Sequence, residues 1–134
     1  MLPLDVIAAQ RAAADAPSRI VDARDIPDGW MGLDIASRTE AAFAAPIAGA
    51  GTILWNGPMG VFEMAPFAGG TRAIAKAVAE SRGESIGGGG DTASAVEQFG
   101  YADKMTHIST GGGATLEFME GKTLPGVAVL QDAE

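Results

Sequence analysis

Three times along this chain a short apolar run ends in a cluster of glycines, and each cluster precedes a helix-like segment. Gly51–Asn56 runs into Gly57-Pro58-Met59-Gly60, Glu84–Gly87 into Gly88-Gly89-Gly90, and Met105–Ser109 into Gly111-Gly112-Gly113. Strand, glycine turn and helix in repeated order predict parallel strands with crossover helices, because a parallel neighbour is reached only by a long connection. Ligands of such sheets lie beyond the carboxyl ends of the strands. All three glycine clusters are therefore expected along one rim.

The fold class that follows is α/β: a Rossmann-like, three-layer parallel sheet with flanking helices. Leu4–Ala9 reads as a further strand by its apolar run. Ser37-Arg38-Thr39-Glu40 fits a capping box opening a helix that Pro46 kinks or ends. A second helix is expected from Pro66 towards Gly83, with Phe67, Ile74 and Val78 inward and Arg72, Lys76 and Glu80 outward. Short helices are expected over residues 91–99 and from about residue 113 to 120, each stopped by a glycine. Residues 10–29 look irregular, rich in Asp, Arg and Pro, and are expected to wrap the surface. At 134 residues the chain is one domain or part of one, and 47% hydrophobic residues give it enough apolar matter for a core.

Composition narrows the chemistry. With no cysteine and one histidine, His107, neither a thiolate nor an imidazole metal site can be built. A net charge of −8 argues against duplex nucleic acid and anionic membrane as partners. No run approaches the roughly 20 apolar residues of a spanning helix. The first residues lack a basic segment followed by an apolar stretch, so the cytoplasm is the default compartment.

Any anion must then be held locally by the glycine loops. In Gly87-Gly88-Gly89-Gly90-Asp91-Thr92, bare N–H groups and a helix N-terminus favour a phosphate. Asp91 beside a phosphate makes sense where Mg²⁺ bridges the two; the other reading is that Asp91 only caps the helix. Ser109-Thr110-Gly111-Gly112-Gly113-Ala114 has the same design without an acidic residue. It could receive a transferring phosphoryl group, or it could be a tight turn with close backbone packing. Trp55-Asn56-Gly57-Pro58-Met59-Gly60-Val61-Phe62-Glu63 offers an amide, a turn, apolar contacts and a carboxylate that could accept ribose hydroxyls, although an isolated Glu is usually a solvated one. Gly32-Leu33, after Trp30-Met31, could present bare backbone and an apolar face to a base.

Other patterns fail. Gly121-Lys122-Thr123 lacks the rest of a P-loop, and Gly88–Ala93 satisfies the loose dinucleotide pattern without an acidic ribose ligand ending the next strand. His107 reads as a packed or edge histidine, with no nucleophile elbow near it.

W-N-G-P-M-G-V-F-E, G-G-G-D-T and S-T-G-G-G-A-T-L-E-F-M-E-G-K-T-L-P-G-V, with W-M-G-L-D upstream, resemble phosphoglycerate kinase in content, order and spacing. The resemblance covers essentially the whole chain and corresponds to the final part of the carboxyl-terminal, nucleotide-binding domain, so that 1–134 is a single partial domain. It implies a glycolytic kinase with ATP or ADP as substrate and Mg²⁺ as cofactor. The phosphoryl group passes reversibly between 1,3-bisphosphoglycerate and Mg-ADP, giving 3-phosphoglycerate and Mg-ATP. By the same resemblance Gly32 and Leu33 border the adenine, Asn56 and Pro58 approach the nucleotide, and Glu63 holds the ribose. Gly89, Gly90, Asp91 and Thr92 take the phosphates and the metal, and Gly111, Gly112 and Gly113 face the phosphoryl group in flight.

Phosphoryl transfer needs positioning and charge neutralisation more than a covalent group. None of the nine basic residues lies in a glycine cluster. The segment alone is therefore expected to be inactive, with the phosphoglycerate held by the amino-terminal domain. The alternatives are a non-catalytic nucleotide-binding module or a vestigial acidic interaction domain. The full enzyme is expected to be a monomer, and the segment to self-associate through an unpaired sheet edge and uncovered helix faces. Gly87, where the family strand usually has an apolar residue, is expected to loosen the strand that leads to Asp91.

Overall fold

The computed structural model describes residues 1–130. The first element, β1 (Asp5–Ala9), is the centre of an antiparallel sheet. It pairs with β2 (Ser18–Asp22) on one side and β3 (Met31–Ile35) on the other. This corrects the expectation for residues 10–29, which contain a strand rather than a wrapping loop. The signal was weak because β2 is an edge strand exposed on both faces, with Ile20 62% exposed. Gly32 and Asp34, poor strand formers, disguise β3. The strand predicted at Leu4–Ala9 exists, but in this separate antiparallel sheet.

Helix α1 (Ser37–Ala48) follows β3 directly. The capping box does not form: Ala36 is the N-cap and no side chain of α1 caps its own first turn. The cap comes from a distant strand instead. The buried Asp5 carboxylate accepts the N–H of Thr39 at 2.8 Å and of Arg38 at 3.2 Å. The Thr39 hydroxyl in turn accepts the N–H groups of Leu4 and Asp5 at 2.9 and 3.0 Å. Pro46 sits inside the last turn, where its missing N–H costs one bond, to the Ala42 carbonyl, and the helix ends two residues on.

The expected parallel sheet is formed by β4 (Thr52–Asn56), β5 (Glu84–Gly88) and β6 (His107–Ser109), side by side in that order. A 3-10 turn at Ala65–Phe67 precedes α2 (Gly69–Glu80), so the proline marks that turn and not the α-helix proper. Next come α3 (Gly90–Gln98), α4 (Gly112–Met119) and the short α5 (Pro125–Ala128).

Alternation along the parallel strands separates two faces. Ile53 and Trp55 join Ile74, Ala75 and Val78 of α2 and Val96 of α3 in the main core. Leu54 and Ile86 point to the other face, where they line a cleft of 380 Å³ with Phe118 and Met119 of α4. Helices thus lie on both faces, but unequally. Phe118, Met119 and Leu116 remain 67%, 65% and 47% exposed, so the α4 side is covered thinly. Gly87 is buried, and a methyl group there would meet Thr92, Met105 and Ile108 at 3.5–3.9 Å, ordinary contact distances. No helix among the described residues is long and apolar enough to cross a membrane.

Candidate functional site

The carboxyl ends of β4, β5 and β6 bring the three glycine clusters together. At the end of β5, Gly89 adopts a φ of +95°, a backbone conformation that a side chain would strain. Its N–H is donated to the Ser109 carbonyl at 2.8 Å. A Cβ on Gly112 would lie 3.1 Å from the Gly89 Cα, so the two loops touch through bare backbone. The Asn56 amide closes the group by donating to the Gly112 carbonyl at 3.3 Å.

This contact sets the first turns of α3 and α4 beside each other. A helix offers no internal acceptors to its first N–H groups. In α3 these belong to Gly90, Asp91 and Thr92, and in α4 to Gly112, Gly113 and Ala114. Two sets of unsatisfied donors and two positive dipole ends therefore share one rim, an arrangement suited to an anion. Gly90 and Gly113 have nothing within 4 Å of where a Cβ would stand, so this stretch of backbone is open.

Asp91 lies within the first turn of α3, where Gly89 is the N-cap, and its side chain is exposed. Among the described residues no three acidic or histidine side chains gather into a metal cage. One free carboxylate beside phosphate oxygens still suits Mg²⁺, which takes one or two carboxylates and completes its shell with phosphate and water. Thr92 differs from its loop neighbours: its side chain is fully buried, and its hydroxyl accepts the Gly57 N–H at 2.8 Å. The residue as a whole is 0% exposed, so it holds the loop from within.

The segment from Asn56 to Glu63 leads away from this anion end. The Trp55 indole donates to the Gly57 carbonyl at 2.7 Å, and the Val61 N–H donates to the Leu33 carbonyl at 2.9 Å. That bond places β3, with Gly32 and Leu33, beside the turn holding Pro58 and Glu63. The Leu33 side chain belongs to a second core cluster with Ala9, Ala16 and Phe67, while Glu63 is exposed. Gly32 and Leu33 thus neighbour the segment from Pro58 to Glu63 through that backbone bond, with the Leu33 side chain turned into the core, and Asn56–Gly60 leads from this end of the rim to Gly89–Thr92 and Gly111–Gly113. His107 is exposed on the edge strand β6 and lines the cleft under α4.

Sequence reading passed over Asp34, which is 3% exposed at the end of β3. Its carboxylate accepts the N–H groups of Gly70 and Ile35, each at 2.8 Å. Burial pushes its pKa up to about 6, the nearby Glu40 adds to the rise, and the N–H donors oppose it. A Cβ on Gly60 would stand 2.4 Å from an Asp34 oxygen, and one on Gly70 equally close. The available signal was a carboxylate inside a short apolar run, Leu33-Asp34-Ile35-Ala36.

Compared with known proteins, the chain matches a family model described as phosphoglycerate kinase over residues 1–122. It is 58% identical over 137 aligned residues to a phosphoglycerate kinase of Chloroflexus aurantiacus, covering 100% of this chain and 34% of that protein. To one of Parafrankia it is 61% identical over 131 residues, covering 97% and 33%. Among solved structures, phosphoglycerate kinase from Coxiella burnetii superposes with a TM-score of 0.88 at 46% identity, covering 96% of this chain and 33% of that one. The enzyme from Pyrococcus horikoshii superposes with a TM-score of 0.80 at 34% identity, covering 94% and 31%. The chain spans about a third of the length of the relatives it matches.

Proposed function

The chain belongs to the phosphoglycerate kinase family, and from that premise we propose that it forms the Mg-ADP and Mg-ATP site of a glycolytic kinase. The observation that supports this reading best is the meeting of α3 and α4 at Gly89 and Gly112, which turns two helix N-termini towards one volume. In the proposed assignment Gly89, Gly90, Asp91 and Thr92 form the loop that takes the nucleotide phosphates, with the unpaired N–H groups of Gly90 and Asp91 as donors and Gly89 and Thr92 fixing the loop through Ser109 and Gly57. Asn56 and Pro58 flank them, Glu63 accepts the ribose hydroxyls, and Gly32 and Leu33 border the base. Gly111, Gly112 and Gly113 receive the phosphoryl group.

The reaction in the complete enzyme would form a bond from an ADP β-phosphate oxygen to phosphorus and break the bond from phosphorus to the carboxylate of 1,3-bisphosphoglycerate. Both the attacking oxygen and the leaving carboxylate are anionic, so no proton transfer or side-chain nucleophile is required. Bound Mg²⁺ would neutralise phosphate charge, and Asp91 is the residue proposed to hold it through one carboxylate. The N–H groups of α3 and α4 would bind and orient the oxygens. Of the nine basic side chains, none lies within residues 56–63, 87–92 or 109–114. Arg72 stacks over the Phe99 ring, and Lys122 pairs with Glu120. The positive charge needed for transfer, and the phosphoglycerate site, are assigned to the amino-terminal part of the full-length protein, in a cytoplasmic monomer. The 134-residue chain binds nucleotide on this reading and does not turn over.

Calorimetric titration of the 134-residue chain with ADP tests it. Binding is expected to strengthen with Mg²⁺, and Asp91→Asn to remove most of that gain, about tenfold in Kd or 1.4 kcal/mol. An affinity that ignores the metal would remove Asp91 from the site, and preference for a dinucleotide over ADP would overturn the assignment. Phosphoryl transfer by the isolated chain would refute its proposed inactivity.

A further inference from the structure

The turn joining the two ends of the rim is held from behind by hydroxyl groups. Between Gly57 and Gly60 the backbone has three N–H donors, because Pro58 has none. Each of the three is donated to a buried threonine. Gly57 gives its hydrogen to Thr92 at 2.8 Å, and Met59 and Gly60 give theirs to Thr71 at 3.1 and 3.3 Å. Both threonines are fully buried and sit in the first turns of α3 and α2. Gly60 is also pressed against the Asp34 carboxylate and the Leu33 carbonyl, at 2.4 and 2.6 Å from where its Cβ would be, so the turn cannot shift inward.

We propose that Thr71 is a positioning residue for the nucleotide, setting the Pro58–Gly60 turn through its hydroxyl; this rests on the nucleotide reading above. All donors of the turn are engaged inward, so none of its N–H groups is left for a ligand and the turn can act only through its fixed shape. A turn already in its bound conformation spares the ligand the cost of ordering it. Thr71 is the only hydroxyl in the turn's surroundings, among the described residues, that accepts from two of its amides. Loss of the hydroxyl leaves both N–H groups without a partner beside the main core, and the turn must open towards solvent to satisfy them.

Amide hydrogen exchange in the nucleotide-free chain, followed by ADP titration, tests the proposal. Thr71→Val keeps the shape and removes the acceptor. It is expected to speed exchange at Met59 and Gly60 at least tenfold while Gly57, held by Thr92, changes little. It is also expected to weaken ADP binding about threefold to tenfold. Thr71→Ser restores both values. Thr71→Ala, which cannot clash, repeats the loss if the valine variant melts early. Unchanged exchange at Met59 and Gly60, or unchanged affinity once they are released, overturns the role of Thr71. Failure of the unsubstituted chain to bind ADP overturns the nucleotide reading itself, and that titration is separate from the exchange measurement.

Discussion

One oxygen of Asp34 accepts the N–H of Gly70 at 2.8 Å, which sets a buried carboxylate at the first turn of α2. The helix end favours the anion, but burial outweighs it and the pKa rises to about 6 from 3.8.

A raised carboxyl pKa makes folding take up a proton, so the contribution to stability is fully present below pH 3.8 and is lost as pH rises through about 6. A rise of that size is worth on the order of 1–3 kcal/mol. Urea unfolding between pH 4.5 and 7.5 should show stability falling over that window. Asp34→Asn should flatten the fall, and an undiminished slope in that variant would assign the effect to other groups.

Glycines in the rim should separate by their surroundings. Gly90 and Gly113 have open space where a Cβ would stand, and both lie in helices. Gly90→Ala and Gly113→Ala are expected to preserve the fold, with up to about 1 kcal/mol of added stability from helix propensity. Gly90→Ala should also weaken ADP binding about tenfold, and Gly113→Ala should weaken ATP more than ADP, by crowding the bare N–H groups each loop presents. Gly60→Ala, in contrast, should cost about 1–3 kcal/mol, because its new carbon meets Asp34 and a backbone oxygen. Equal melting temperatures for all three variants would contradict this sorting.

The cap of α1 offers a third measurement. Burial raises the Asp5 pKa, but the hydroxyl and N–H of Thr39 and the N–H of Arg38 outweigh it and hold the group below its ordinary value. Its contribution is present above pH 3.8 and is lost as pH falls through the lower folded value. Asp5→Ala strands the buried N–H of Thr39 and the half-buried N–H of Arg38, with an expected loss of about 1–3 kcal/mol in denaturant unfolding at pH 7. A loss under 0.5 kcal/mol would mean that water replaces the carboxylate.

Leu116, Phe118 and Met119 of α4, with Val127 at 63% exposure, form an apolar surface on the thinly covered side of the parallel sheet. Sedimentation velocity should find the chain associating as its concentration rises, and Phe118→Ser should shift it towards monomer. A wild-type chain that stays monomeric at high concentration would show that this surface does not pair with itself.

Much of the α/β core was legible because strand, glycine turn and helix recur with little distortion from Thr52 onward. The rim could be read for the same reason, since glycine in such turns reflects backbone contact that composition records directly. What escaped depends on distant partners. Ser37 looked like a cap until Asp5 took the role from another strand, and β2 is held by its pairing with β1 rather than by apolar faces. Thr71 and Asp34 are ordinary residues in sequence; their importance comes from the loop that packs on them.

The bond from Asn56 to Gly112 spans 56 positions, against the short span of the β1–β2 hairpin. Closing so long a stretch costs more chain entropy than closing a hairpin. The anion cradle is therefore expected to assemble late in folding, and a molecule that has completed only its hairpin and first helix would be blind to ADP.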